Sequence, residues 1–216
     1  IMKSYKHIIL PMLGAAVWCT NCVDLNYSEV TTNNEEWVYQ SPQYGIEHLV
    51  SSVYARVPNG LSKNFEGGSG ATFAAACDEA DCALSHDNIR KLYNGGWSPI
   101  SPFSYLWENS YKAIAEANNF LEKLDKIDLS AYENNNDFQA MKNKFELFEY
   151  ETRFLRAYFY FELVRAYGDV PFTLKSLTNA EANQLSRTSA ITIMDWIVEE
   201  MNTIAEFLPV SYATEL

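Results

Sequence analysis

Apolar positions return at helical spacing in four stretches of this chain. Residues 43–57 place Ile46, Leu49, Val50, Val53 and Tyr54 on one side, with Ser41-Pro42 before them and the breakers Pro58-Asn59-Gly60 after them. Residues 104–124 align Trp107, Tyr111, Ile114 and Leu121 on one face and keep the other polar. A third helix is predicted over residues 137–167, long for a globular domain. A fourth, over residues 189–207, repeats Ile191, Met194, Ile197, Val198, Met201 and Ile204, with Leu208 just beyond. Few stretches alternate in the manner of a strand.

The third helix departs from the one-stripe pattern. Phe154, Leu155, Tyr158, Phe159, Tyr160, Phe161 and Leu163 cover almost its whole circumference, so neighbours are expected on several sides. Gly168 stops it and Pro171 prevents its resumption. Glu151, Arg153 and Arg156 lie among these aromatics, where an isolated charge would be costly. They are expected to pair with one another or with backbone groups.

The run Glu151-x-Arg153-Phe154-Leu155-Arg156-Ala157, continued by Tyr167-Gly168-Asp169-Val170-Pro171, resembles the signature of the SusD/RagB family. These are surface lipoproteins of Bacteroidetes that capture nutrients for a TonB-dependent transporter. Trp107-x-x-x-Tyr111-x-x-Ile114-x-x-Ala117-Asn118 is similar to the preceding family helix, and Arg187-x-Ser189 to the opening of the following one. The resemblance implies an all-α fold, a tetratricopeptide-like helical-hairpin scaffold with long inserted loops. The second and third helices, joined by polar residues 128–136, suit an antiparallel hairpin of that scaffold. The repeat's own consensus is absent, so the repeat architecture rests on the resemblance. Family members are much longer, which makes this chain an expected N-terminal piece of such a protein. The residues of the signature are expected to carry the fold, and function has to be argued from a site.

The start of the chain reads as a secretory signal. Lys3 and Lys6 precede an apolar run over residues 8–17, too short for a membrane span of about 20 residues, and Cys19 and Cys22 close it. A Cys-x-x-Cys pair also suits redox or metal chemistry, but no βαβ pattern surrounds this one. Bulky Trp18 precedes Cys19 and Asn21 precedes Cys22, while Cys22-Val23-Asp24-Leu25 resembles the family's mature start. Cys22 is therefore the expected lipidation site. Residues 1–21 are the signal peptide, residues 22–40 a tether, and residues 41–216 the SusD-like helical domain.

Charge narrows the partners. The net charge is −12, and removing the signal with Lys3 and Lys6 takes it to −14. So acidic a chain excludes nucleic acid as a partner, because phosphates demand basic patches. It suits a protein held by lipid and not by attraction to an anionic surface.

Recognition is expected in the long segment between the first two helices, which contains Gly67-Gly68-Ser69-Gly70 and Tyr93-Asn94-Gly95-Gly96-Trp97. Trp97 can present a flat face to the C–H surface of a sugar, Tyr93 adds a second ring, and Asn94 supplies donors and acceptors for hydroxyls. The bland alternative makes Trp97 a plug packed on the second helix. Other signals in this segment carry little. Asp78-Glu79-Ala80-Asp81 spells a helicase box without a phosphate-binding loop, and the ligand order of a calcium loop is missing around Asp78, Glu79, Asp81 and Asp87. Cys77 and Cys82 can bridge only if the backbone brings them together. His7, His48 and His86 form no metal motif.

No nucleophile elbow occurs, and the arginines of the third helix would keep its carboxylates ionised, so neither an enzyme nor a cofactor is expected. The expected function is that of an outer-membrane, surface-exposed lipoprotein that binds oligosaccharide and delivers it to a SusC-like TonB-dependent transporter. A peptide-binding member of the same family and a helical scaffold for protein partners are the alternatives.

Overall fold

The computed structural model describes residues 35–58, 78, 80–83, 88–102 and 104–211, all within the unit Glu35–Leu216. The signal, both cysteines near it, most of the tether, Gly67–Gly70, Cys77, His86 and Asp87 lie outside the described residues. Chain order is α1 (Glu35–Gln40), a π-helical turn (Pro42–Ile46), α2 (Glu47–Tyr54), α3 (Ser104–Leu121), α4 (Phe138–Tyr167), β1 (Val170–Pro171), α5 (Asn179–Ala182), β2 (Arg187–Thr188) and α6 (Ala190–Ile204).

Residues 35–40, expected within the tether, contact the helices that follow. Tyr39 is buried, its carbonyl accepts the Asp128 N–H at 3.1 Å, and Glu35 meets Lys123 at 2.7 Å and Lys126 at 2.9 Å. Residues 35–40 are therefore fastened to the domain. Tyr39 is buried in the cluster that holds Phe120 and Phe145, and Val38 packs against the same cluster.

Helices α3 and α4 form an antiparallel hairpin. Trp107 near the start of α3 meets Tyr167 at the end of α4 with ring centroids 5.2 Å apart, and midway along, Asn118 Oδ1 accepts from Arg156 Nη1 at 3.0 Å. At the other end, Phe120 shares a cluster with Phe145 and Phe148. Ala113, Ile114 and Ala117 of α3 are buried against Leu155, Ala157, Phe159, Tyr160 and Leu163 of α4. Dispersion across so many close atom pairs, together with the apolar area removed from water, holds the hairpin.

Helix α4 packs against α2, α3 and α6, as its aromatic girdle requires. The girdle is not wholly enclosed: Phe154 and Phe161, seven residues apart on one face, remain exposed. On α6 the inward residues are Ile193, Ile197 and Ile204, whereas Ile191 and Val198 face out. The periodic set predicted for this helix mixed the two faces, because spacings of three and four fit both.

The signature residues have structural duties. Gly168 has φ 73°, a left-handed conformation that a side chain disfavours, and its N–H bonds the Val164 carbonyl as the helix ends. Asp169 Oδ1 then accepts the Ala190 N–H at 2.9 Å, satisfying a free donor at the start of α6. Pro171 pairs with Arg187 and Val170 with Thr188 in the short antiparallel ladder of β1 and β2. The three charges find partners mostly on neighbouring helices, although Arg153 also keeps Glu149 of its own helix at 3.7 Å. Glu151 accepts from the Tyr54 hydroxyl at 3.0 Å, and Arg153 and Arg156 both reach Glu200 of α6.

Candidate functional site

A turn of 3₁₀ helix (Asn88–Leu92) carries the candidate loop, anchored by fully buried Ile89. The backbone then folds back on itself. The N–H of Asn94 bonds the Arg90 carbonyl at 3.0 Å and the N–H of Trp97 bonds the Lys91 carbonyl at 3.1 Å. Between them Gly95 sits at φ 75°, which glycine adopts at little cost. The Ser101 N–H returns to the Ser98 carbonyl at 2.9 Å and closes the next turn. Such a network of short turns presents side chains from a fixed base.

Tyr93, Asn94 and Trp97 have different surroundings. The Tyr93 hydroxyl donates to the Asp81 carboxylate, which raises the phenol's pKa and lowers that of Asp81. Arg90 lies over the Tyr93 ring, 5.7 Å from its centroid, and donates from Nη1 to the Cys82 carbonyl at 2.7 Å. Tyr93 is thereby clamped with its polar tip engaged. Asn94 turns its Oδ1 back to the Gly96 N–H at 2.9 Å, which leaves its amide NH₂ as the group to offer a ligand. Cys82 is buried with a free thiol.

Trp97 is 51% exposed and borders an open cleft of about 720 Å³. Pro99 and Pro102 of the same loop, Trp107 of α3, Tyr167 of α4 and Arg187 of β2 complete its principal lining. Tyr93 and Asn94 are not part of it. The cleft exists because the α3–α4 hairpin brings Trp107 to Tyr167, while the ladder of β1 and β2 sets Arg187 opposite Pro171. The Tyr111 hydroxyl donates to the Pro171 carbonyl at 2.7 Å and ties this ladder to α3. Burial holds the Tyr111 hydroxyl well above the ordinary phenol range, so it stays a neutral donor.

Trp107, Tyr167 and Arg187 were absent from the candidate site read along the sequence. Each belongs to a signature that reads as scaffold, and only the fold brings residues 97, 107, 167 and 187 together. A second cavity, of about 510 Å³, opens at the turn of the hairpin between Leu124, Ile127, Phe138 and Phe145. Its rim of Asp128, Glu133, Glu146 and Glu149 offers no exposed indole or phenol platform, so the Trp97 cleft is the better candidate. Among the described residues no three His, Cys, Asp or Glu side chains are grouped to hold a metal ion, and no helix is long and apolar enough to cross a membrane.

The relatives of the chain share this architecture. Residues 25–216 match the model of the SusD-like family described as starch-binding and associating with the outer membrane. A SusD-like protein of Formosa agariphila is 30% identical over 112 residues, which is 52% of this chain and 19% of that protein. A SusD-like carbohydrate-binding protein from Bacteroides fragilis, solved as a crystal structure, is 25% identical with a TM-score of 0.61 over 82% of this chain and 33% of its own. A laminarin-binding SusD-like protein also has 25% identity and a TM-score of 0.61, over 79% of this chain and 35% of its own. The chain thus spans about a third of the length of these solved relatives. The helical hairpins are those of the tetratricopeptide-like SusD scaffold, and with the family model fitting nearly the whole sequence, the chain belongs to the SusD-like family.

Proposed function

We propose that this chain is part of an outer-membrane, surface-exposed lipoprotein, anchored through Cys22, that binds oligosaccharide and delivers it to a SusC-like TonB-dependent transporter. The observation that carries the reading is Trp97, half exposed on a hydrogen-bonded loop and sharing an open cleft with Trp107 and Tyr167. Aromatic faces stack on the apolar C–H faces of sugar rings, and nearby amide groups satisfy the hydroxyls that this contact would otherwise strip of water. The carbohydrate-binding description of the Bacteroides fragilis relative and the laminarin-binding description of the other support a saccharide as ligand. Capture followed by movement of the tethered protein over the transporter completes the mechanism implied by the family.

The test is binding of the intact protein to an array holding both oligosaccharides and peptides, with Trp97→Ala in parallel. Saccharide binding that is weakened about fivefold or more in the variant supports the reading, taking as the scale the about 1–3 kcal/mol that an aromatic platform contributes to a stacked nucleobase. Saccharide binding that survives the substitution moves the site away from this cleft. Binding of peptides alone replaces oligosaccharide capture with peptide capture, and no ligand of either kind leaves a scaffold for protein partners.

A further inference from the structure

The arginines of the chain divide sharply by partner. Arg56 pairs with Glu116, Arg90 lies 3.7 Å from Asp81, Arg153 and Arg156 share Glu200, and Arg165 pairs with Glu162. Arg187 alone among the six has no carboxylate partner among the described residues. In a chain with 28 acidic and 16 basic side chains, carboxylates are the easier neighbours to find.

The place of this arginine adds a second observation. The cavities at the hairpin turn, along α6 and beside Phe207 are lined by carboxylates, among them Glu133, Asp195 and Glu206. Among the described residues no carboxylate lines the Trp97 cleft, and Arg187 is the charged residue there. Its backbone is held in the β1–β2 ladder opposite Pro171, so the guanidinium starts from a fixed base at the edge of three aromatic rings. A planar guanidinium matches a carboxylate or a sulfate through two parallel hydrogen bonds, and low local competition from acids strengthens the contact.

We infer that the Trp97 cleft takes a saccharide bearing an anionic substituent, a uronate carboxylate or a sulfate ester, and that Arg187 pairs with that substituent. The inference rests on the oligosaccharide reading above and narrows its ligand to acidic glycans. The ring stacks on the aromatic wall while the guanidinium selects for charge, which lets an acidic protein hold an acidic ligand against its own net repulsion.

The intact protein is titrated by calorimetry with matched pairs: oligogalacturonate and oligoalginate against their methyl esters, and carrageenan and chondroitin sulfate oligosaccharides against their desulfated forms. At least one acidic member is expected to bind about tenfold or more tightly than its neutral match, by a charge-assisted bidentate contact. Arg187→Gln is expected to remove most of that preference, Arg187→Lys to keep part of it, and raising the salt concentration to narrow it. The uronate and sulfate arms identify which anion is read. Neutral members that bind as well as acidic ones, or a preference that Arg187→Gln leaves intact, overturn the inference while oligosaccharide capture stands. Failure of every saccharide to bind overturns both. The wild-type preference and its salt dependence are read without any variant, so misfolding of a substituted protein does not shield the idea.

Discussion

Arg153 of α4 grips Glu200 of α6 at both oxygens, with Nε 2.9 Å from Oε1 and Nη2 2.9 Å from Oε2. Arg156, one turn further along α4, reaches the same carboxylate at 3.5 Å and spends its other amino group on Asn118 of α3. One carboxylate therefore links α4 to α6, and through Arg156 to α3. The side chains of Arg156 and Glu200 are only 9% and 11% exposed, so neither can fall back on water.

Glu200→Ala is expected to destabilise the domain by about 3–5 kcal/mol, because it leaves the buried guanidinium of Arg156 without its counter-charge. Glu200→Gln keeps an accepting oxygen and costs less. Denaturant midpoints of the two variants, with Arg153→Ala and the double variant to close a cycle, measure the coupling. Equal midpoints for wild type and Glu200→Ala would show that the link contributes no stability.

The same link sets an acid limit. The hydrogen bond from Arg153, followed by the charges of Arg153 and Arg156, holds the Glu200 carboxyl below its ordinary value of 4.5 against the upward push of burial. A carboxyl with a lower pKa in the folded state contributes stability that is complete above the unfolded value and is lost as pH falls through the folded one. The contribution of Glu200 should be level from neutral pH down to about 5 and decline below about 4.5. Comparing the denaturant midpoints of wild type and Glu200→Gln across this range isolates it, since the variant lacks that titration. Parallel pH curves for the two proteins would remove Glu200 as the cause.

Much of the frame can be read along the chain because it is local. The long helix expected at residues 137–167 is Phe138–Tyr167, and its stop at Gly168 follows from a positive φ that glycine tolerates. Local spacing allows Arg153 only Glu149, one turn back and 3.7 Å away, whereas its bidentate partner Glu200 lies 47 residues along the chain and was not legible. Two-residue strands leave no period to detect, so the ladder that positions Arg187 was missed. For the same reason Trp97 was found as a candidate from its glycines, while the rest of the cleft wall, built from three distant elements, was not.

Tyr160 stitches the segment after β1 to the hairpin. Its buried hydroxyl donates to the Thr173 carbonyl at 2.7 Å and accepts the Thr173 N–H at 2.9 Å, with its pKa pushed up to about 12 by burial. Tyr160→Phe keeps the ring and removes both bonds, for an expected loss of about 1–3 kcal/mol. Hydrogen exchange should show the Thr173 amide losing protection more than amides in the middle of α4. Unchanged protection at Thr173 would mean that water replaces the hydroxyl without penalty.

Gly95 separates the geometry of the loop from the stability of the domain. At φ 75° it has nothing within 4 Å of where a Cβ would stand, so alanine meets no neighbour and suffers only the left-handed backbone, at about 1 kcal/mol. An exposed loop can relax to escape that strain, and relaxation would shift Trp97, whose N–H closes on Lys91 two residues further on. Gly95→Ala is therefore expected to leave the melting temperature almost unchanged and to weaken saccharide binding by up to about fivefold, the limit reached if the full strain must be restored in the bound state. Gly95→Asn, which tolerates the left-handed region, should bind nearly as well as wild type. Calorimetric titration of the three proteins with the same oligosaccharide decides the matter: equal affinities would show that the loop's backbone plays no part in presenting the indole.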